Sequence, residues 1–213
     1  HEIRTPLNGI IGPFQLLKDG ILSADFKDIL TILDASVKRL EKFALTALKI
    51  TDLQTRSYQL YMSEVEISAM LDEVLNIWEN TIRKKNIRVK KVITPENLCF
   101  KADRELVELC LGSIIENAVK FSPEKSTISV TIAELQDEVI FQIMDQGEGF
   151  SDFTLQNYHK LFSIGEEHID GKIGLDLTLA KMIVDAHNGK MLLSNRKEGG
   201  GYVRIQCSKN KTE

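Results

Sequence analysis

The chain has 213 residues, a length for one large domain or two small ones. Hydrophobic residues make up 43% and charged residues 27%, an ordinary water-soluble globular composition. The formal net charge of −4 argues against nucleic acid as the main partner, and no apolar run approaches the roughly 18 residues that span a bilayer, so no membrane contact is expected within this stretch.

The chain opens on His1, Glu2, Ile3, Arg4, Thr5, Pro6 and Leu7. Because it starts on histidine rather than methionine, it reads as a fragment or a processed chain, whose parent could be anchored in a membrane upstream. Apolar residues at Ile3, Leu7, Ile10, Phe14 and Leu17 follow a heptad, which predicts a helix to about Lys18. His1 precedes the first seam position by two residues and should face water, with Glu2 beside it and Thr5 one turn along on the same side. Pro6 lacks a backbone donor and should bend the helix just past the histidine. Asp19-Gly20 is a stop signal, and Ser23 or Asp25 can cap a second helix. That helix carries Phe26, Leu30, Leu33, Val37, Leu40, Ala44, Ala47 and Thr51 at the same heptad spacing. One hairpin cannot bury such a seam alone. Dimerisation into a four-helix bundle is the economical solution, and packing of the hairpin on its own second domain is the alternative.

Residues 52–63 break the heptad and read as a linker running into a strand. The pattern then becomes α/β. Glu64–Ile67 reads as a strand, and Ser68 can cap a helix holding Met70, Leu71, Val74, Leu75 and Trp78. Ile87–Ile93 reads as a strand before a turn at Pro95, and Cys99-Phe100 as a short one. Asp103 caps a helix to about Lys120, ended by Ser122-Pro123. Thr127–Leu135 and Glu138–Met144 form a hairpin around Gln136-Asp137. Residues 146–174 are irregular and dotted with glycine, the mark of a functional lid. A helix over Leu175–His187 and a hairpin of Lys190–Ser194 with Tyr202–Cys207, turning through Glu198 and three glycines, complete the chain. Cys99, Cys110 and Cys207 are odd in number and lack metal-ligand spacing, which reads as reduced thiols in a cytoplasmic compartment.

Several residues point to chemistry. Asn117 and Lys120 lie one turn apart near a helix end. An amide oxygen there could ligate Mg²⁺, and an ammonium could meet phosphate. Capping and solvated charge are the plain alternative. Asp145 ends a buried strand and is followed by Gly147 and Gly149. A strand-end carboxylate can accept an exocyclic amine, and glycines let backbone approach a ligand; an ordinary turn is the alternative. Gly171 and Gly174 precede the helix that opens at Leu175, and a glycine-rich loop at a helix N-terminus can hold an anion.

The opening string resembles the H-box of sensor histidine kinases of two-component systems. Glu116–Pro123, Asp145–Gly149, Leu161-Phe162 and Gly171–Ala180 resemble, in order, the N, G1, F and G2 boxes of the same family, whose catalytic domain shares its fold with gyrase, Hsp90 and MutL. The resemblance covers essentially the whole chain. It implies an α+β architecture: an N-terminal hairpin over 1–56 forming a dimeric four-helix bundle, then a two-layer α/β sandwich over 57–213 that binds ATP and Mg²⁺. His1 would accept the γ-phosphoryl group, usually on its ε nitrogen, and Glu2 would hold the proton on the other ring nitrogen. Thr5 would help hold the hydrolytic water when such a kinase dephosphorylates its regulator. Asn117 resembles the Mg²⁺ ligand, Asp145 the adenine-amine acceptor, and Gly147 and Gly149 the lid's first hinge. Lys120 looks like a phosphate contact, and Gly171, Gly174 and Leu175 like the phosphate-facing second glycine box. The partner implied is an aspartate on a response-regulator receiver domain. Asn8-Gly9-Ile10 is similar to hybrid kinases, in which a receiver follows in the same polypeptide.

The pattern departs in three places. Ser113 stands where a second asparagine is usual, and Lys172 and Asp176 stand where glycines are usual. A carboxylate about 6 Å from a ligand phosphate, at an effective dielectric of ~20, would repel it by roughly 3 kcal/mol, or about a hundredfold in affinity. Lys172 would offset some of this, and Asp176 could instead be structural at the helix N-terminus. Three functions follow: an active autokinase that also dephosphorylates its regulator, a regulatory or phosphatase module that binds ATP poorly, and another ATPase of the same superfamily.

Overall fold

A computed structural model of the chain describes residues 4–18, 26–55, 57–159 and 175–210. Two helices, α1 (Arg4–Lys18) and α2 (Phe26–Gln54), form the hairpin. Within the single chain they bury only part of the heptad: Leu33 and Leu40 are turned inward, whereas Leu7, Phe14, Leu30 and Val37 stay exposed, as expected of a seam that one hairpin cannot bury alone. Pro6 and Pro13 are buried, while Leu7, Ile11 and Phe14 are exposed. On α2 the row Ile29, Leu33, Ser36, Leu40 and Phe43 is turned inward, while Leu30 and Val37 are exposed. Gly9 explains the register: a Cβ there would collide with the Ser36 side chain. Small and ring-closed residues thus let the helices approach, and Leu7, Ile11, Phe14, Leu30 and Val37 remain open to a further partner. The bend expected at Pro6 falls in the first described turn, against residues outside the description.

After the linker come β1 (Met62–Glu66), α3 (Ile67–Ile77), α4 (Glu79–Lys84), β2 (Arg88–Thr94), β3 (Cys99–Asp103) and α5 (Arg104–Phe121). Next are β4 (Thr127–Leu135), β5 (Glu138–Met144), α6 (Asp152–Asn157), α7 (Leu175–Ala186), β6 (Lys190–Asn195) and β7 (Gly201–Ser208). Two details differ from the sequence reading. The cap of α3 is Glu66, whose carboxylate accepts from the Ser68 and Ala69 amides, so Ser68 receives a cap bond instead of supplying the capping side chain. The stretch read as irregular contains α6, capped by Ser151.

Five strands form one sheet in the order β2-β4-β5-β7-β6, parallel between β2 and β4 and antiparallel elsewhere. β1 and β3 form a separate antiparallel pair. Strict alternation along β4 and β7 turns Ile128, Val130, Ile132, Val203 and Ile205 to one buried face. The apolar residues of α3, α5 and α7 cover that face as the second layer. The architecture is therefore the helical hairpin followed by a two-layer α/β sandwich. No described helix is long and apolar enough to cross a membrane.

Asp103 ties the parts together. It is buried, and its Oδ1 accepts the Leu106 amide as the cap of α5 (3.1 Å). Its Oδ2 accepts the Tyr58 hydroxyl (3.1 Å) and the Tyr61 amide (2.9 Å) from the interdomain linker. Its own amide donates to His187 Nε2 on the turn after α7 (3.0 Å). Burial, and then the Asp103 carboxylate, push the Tyr58 phenol up to about 12 from its ordinary 10.0. An acid raised in the fold favours the native state while it stays neutral. Its contribution is full below pH ~10 and disappears as pH rises through about 12. Urea titrations at stepped pH should therefore show the wild-type midpoint falling across this window by more than that of Tyr58→Phe; parallel curves would contradict the assignment.

Candidate nucleotide-binding site

α5 carries Asn117 to the edge of a cavity between the helices and the sheet. Its N-terminus is fixed by Asp103, and its last turn is held by Lys85, whose ammonium donates to the carbonyls of Val119, Lys120 and Ser122 at 2.8–3.0 Å. A cation at a helix C-terminus both satisfies carbonyls and opposes the helix dipole. Asn117 Nδ2 donates to the Ser113 carbonyl one turn back (3.1 Å). This commits the amide nitrogen and leaves the oxygen available to a ligand.

Asp145 follows β5 directly on the facing wall. Its Oδ1 accepts the amides of Gly147 (2.7 Å) and Gly201 (3.0 Å), which leaves Oδ2 able to accept from a ligand donor. Glycine is required by close approach. A Cβ at Gly147 would lie 2.6 Å from the Phe121 carbonyl oxygen, and one at Gly201 would lie 2.7 Å from Asp145 Oδ2 and 3.0 Å from the Phe150 ring. Gly149 has a φ of +79°, and a Cβ there would meet Asn195 Oδ1 at 2.5 Å. The Asn195 amide in turn brackets Phe150, accepting from its N–H and donating to its carbonyl, each at 2.7 Å.

The resulting cavity has about 640 Å³ of free space including its open mouth. Ile114, Ala118, Ile143, Val203, Leu177 and Phe150 supply apolar walls, and Asn117, Asp145, Glu148, Ser151 and Thr154 supply polar groups. An apolar slot with a half-buried acceptor at its end suits a flat heterocycle bearing an amine. Asn117 offers one hard oxygen toward Mg²⁺, a metal that commonly takes few protein ligands and completes its shell with phosphate and water. The residues present therefore fit both groups. Mg²⁺, when bound, would neutralise developing charge on the phosphoryl oxygens.

Asn117, Asp145, Gly147 and Gly149 are thus brought together. Lys120 is exposed, with its ammonium 5.1 Å from the centre of the Phe121 ring, and it is not among the cavity's lining residues. Leu175 opens α7 and is half-buried, but the α7 side chain lining the cavity is Leu177. Thr5 is exposed on α1. His1, Glu2, Leu161, Phe162, Gly171, Lys172 and Gly174 lie outside the described residues. Ser113 is turned to the groove between α5 and α2, with its hydroxyl on the Leu109 carbonyl (3.0 Å). Sequence reading missed Gly201, Phe150, Thr154 and Val203. The three glycines after Glu198 were a signal: a hairpin turn alone does not need so many.

Comparison with known proteins gives two family matches and a common fold. Residues 102–211 match the family described as histidine kinase-, DNA gyrase B- and HSP90-like ATPase. Residues 1–43 match the His Kinase A (phospho-acceptor) domain. The chain is 27% identical to the sensor protein KdpD of Clostridium acetobutylicum, covering 98% of this chain and 24% of that protein. It is 25% identical to the sensor protein CreC of Escherichia coli, covering 100% and 44%. The chain therefore spans less than half the length of these relatives. Among solved structures it superposes on the Acinetobacter baumannii histidine kinase AdeS with a TM-score of 0.82 at 21% identity, covering 99% of this chain and 98% of that one. It also superposes on full-length ShkA in complex with AMPPNP, with a TM-score of 0.73 at 21% identity, covering 100% and 45%. A third neighbour is the histidine kinase ThkA in complex with the response regulator protein TrrA, with a TM-score of 0.73 at 22% identity, covering 99% and 59%.

Proposed function

The chain belongs to the sensor histidine kinases, and from that premise we propose that it is an autokinase core that phosphorylates His1 from Mg·ATP and passes the group to a response-regulator aspartate. The observation that carries this reading is the cavity in which Asp145 Oδ2 and Asn117 Oδ1 flank an apolar slot. Asp145 accepts the adenine amine, the apolar walls hold the ring, and Asn117 holds Mg²⁺ against the phosphates. The His1 ε nitrogen then attacks the γ-phosphorus in line, the bond to the β-phosphate oxygen breaks, and ADP leaves. The imidazole must be neutral to attack, as its ordinary pKa of about 6.5 allows near pH 7. Glu2 holds the proton on the other nitrogen and fixes the tautomer. Positioning and charge neutralisation supply most of the acceleration. Lys120 and the glycines at 171 and 174 serve the phosphates.

The hairpin dimerises through the apolar side chains it leaves exposed, Leu7, Ile11, Phe14, Leu30 and Val37 among them. A receiver domain docks on the resulting bundle, and Thr5 holds the water when the regulator is dephosphorylated. The core works in the cytoplasm. The test is incubation with γ-labelled ATP and Mg²⁺. Acid-labile phosphate should appear on His1 and be absent from His1→Gln and Asn117→Ala. If the wild type binds no nucleotide up to millimolar concentration, the autokinase reading is lost and a phosphatase or regulatory module takes its place.

A further inference from the structure

Asp176 stands where this family usually has glycine, at the start of a helix that borders the nucleotide cavity. Its surroundings suggest why a carboxylate is tolerated. A one-residue step on a helix turns the side chain by about 100°. On α5, Asn117 lines the cavity while the preceding Glu116 lines the groove facing α2. On α7, Leu177 lines the cavity while the preceding Asp176 lines the same groove. Both carboxylates meet one cation there. Lys42 of α2 lies 2.6 Å from Glu116 Oε2 and 3.1 Å from Asp176 Oδ2. Among the described residues no other basic group pairs with either. Burial works against the charged form of Lys42, but the hydrogen bonds and charges of its two partners outweigh it and raise its pKa.

The contact is part of a longer seam. Lys49, two turns further along α2, reaches Glu105 at the opposite end of α5 (2.9 Å), so α2 runs antiparallel to α5. Gly9 lies against Ser36. Five residues back from Gly9 and five on from Ser36 bring the start of α1 level with the stretch of α2 that holds Lys42. The latch therefore sits between the hairpin end that holds the start of α1 and both helices bordering the nucleotide cavity.

We infer that Lys42, Glu116 and Asp176 form an interdomain charge latch that makes nucleotide affinity depend on docking of the hairpin. In the docked state the ammonium neutralises Asp176 beside the incoming phosphates. When the hairpin leaves, the two carboxylates on the groove side of the cavity's helices lose their counter-charge, and their field weakens binding of the anionic ligand. Coupling of this kind is reciprocal, so bound nucleotide also holds the hairpin docked. Lys42 is a positioning residue that acts through Asp176. The inference rests on the nucleotide-binding reading of the cavity.

The test uses the whole chain with Mg²⁺ and a fluorescent ATP analogue. Trp78, the only tryptophan, lines the same groove and reports docking without nucleotide. Lys42→Met should weaken binding about five- to tenfold, the lower end of typical coupling because the pair is partly solvated. It should also make Trp78 more open to acrylamide quenching. Lys42→Arg should retain wild-type affinity. Lys42→Met/Asp176→Gly should bind within about twofold of Asp176→Gly alone, because the repelling charge is gone. Equal affinity in wild type and Lys42→Met would overturn the latch and leave the nucleotide reading standing. A loss that Asp176→Gly does not rescue would reduce Lys42 to a structural role and overturn it too. Absence of nucleotide binding by the wild type would remove the nucleotide reading itself, and the coupling with it.

Discussion

Asp145→Asn is expected to lower affinity for adenine nucleotides by about a hundredfold while leaving the fold intact. The asparagine oxygen can still accept the Gly147 and Gly201 amides that Oδ1 now accepts. The NH₂ group then replaces Oδ2 and points a donor at the ligand's amine. A donor facing a donor against apolar walls loses one hydrogen bond and leaves two polar groups unpaired, about 3 kcal/mol together, which is close to a hundredfold. An inosine nucleotide carries an acceptor where adenine carries the amine, so discrimination between the two should narrow in the same variant. Isothermal titration with both nucleotides measures this. Unchanged preference for adenine would place base recognition on another residue.

Gly200→Ala should destabilise the sandwich by about 3 kcal/mol. Gly200 has a φ of +95°, a region L side chains avoid, and a Cβ there lands on the carbonyl oxygen of Asp145. Three contacts hold that approach: the Asp145 amide on the Gly201 carbonyl (3.1 Å), the Arg196 amide on the Gly200 carbonyl (2.9 Å), and the Arg196 guanidinium on the Asp145 carbonyl (2.9 Å). Relief would require moving the backbone of the nucleotide wall, so nucleotide binding should fall with stability. Gly112→Ala is the contrast. It lies inside α5, and nothing lies within 4 Å of an added Cβ, so helix propensity alone predicts a gain of roughly 0.5–1 kcal/mol. Urea unfolding of both variants measures the difference, and a Gly200→Ala midpoint equal to wild type would show that the turn can relax.

Much of the catalytic layer was legible because its signals are local. Asp103 caps α5 as its place before an apolar run implied, and the β4–β5 hairpin has the bounds that alternation and Gln136-Asp137 indicated. The hairpin was less legible. Its heptad marked a seam that one hairpin cannot bury, and Leu7, Phe14, Leu30 and Val37 are exposed, but it did not indicate that α1 approaches α2 through Pro6, Gly9 and Pro13. Periodicity identifies an apolar stripe, but close approach of two helices is set by small side chains, which periodicity ranks low. Glu66 displaced Ser68 as the cap of α3 because its longer side chain folds back onto two amides.

The sequence by itself determined the order of elements and the chemical groups that a nucleotide site needs: an amide near the end of α5, a carboxylate after β5, and glycines beyond it. Tertiary structure decided which way ambiguous groups face. Asp176 was poised between repelling phosphate and serving the fold, and it is paired with Lys42, a residue 134 positions away. Gly201 looked like part of a turn, and it forms the wall behind Asp145 across 56 positions. The reason is physical: a helical side chain's environment is set by whichever surface packs on its side, and a glycine's purpose by what approaches it.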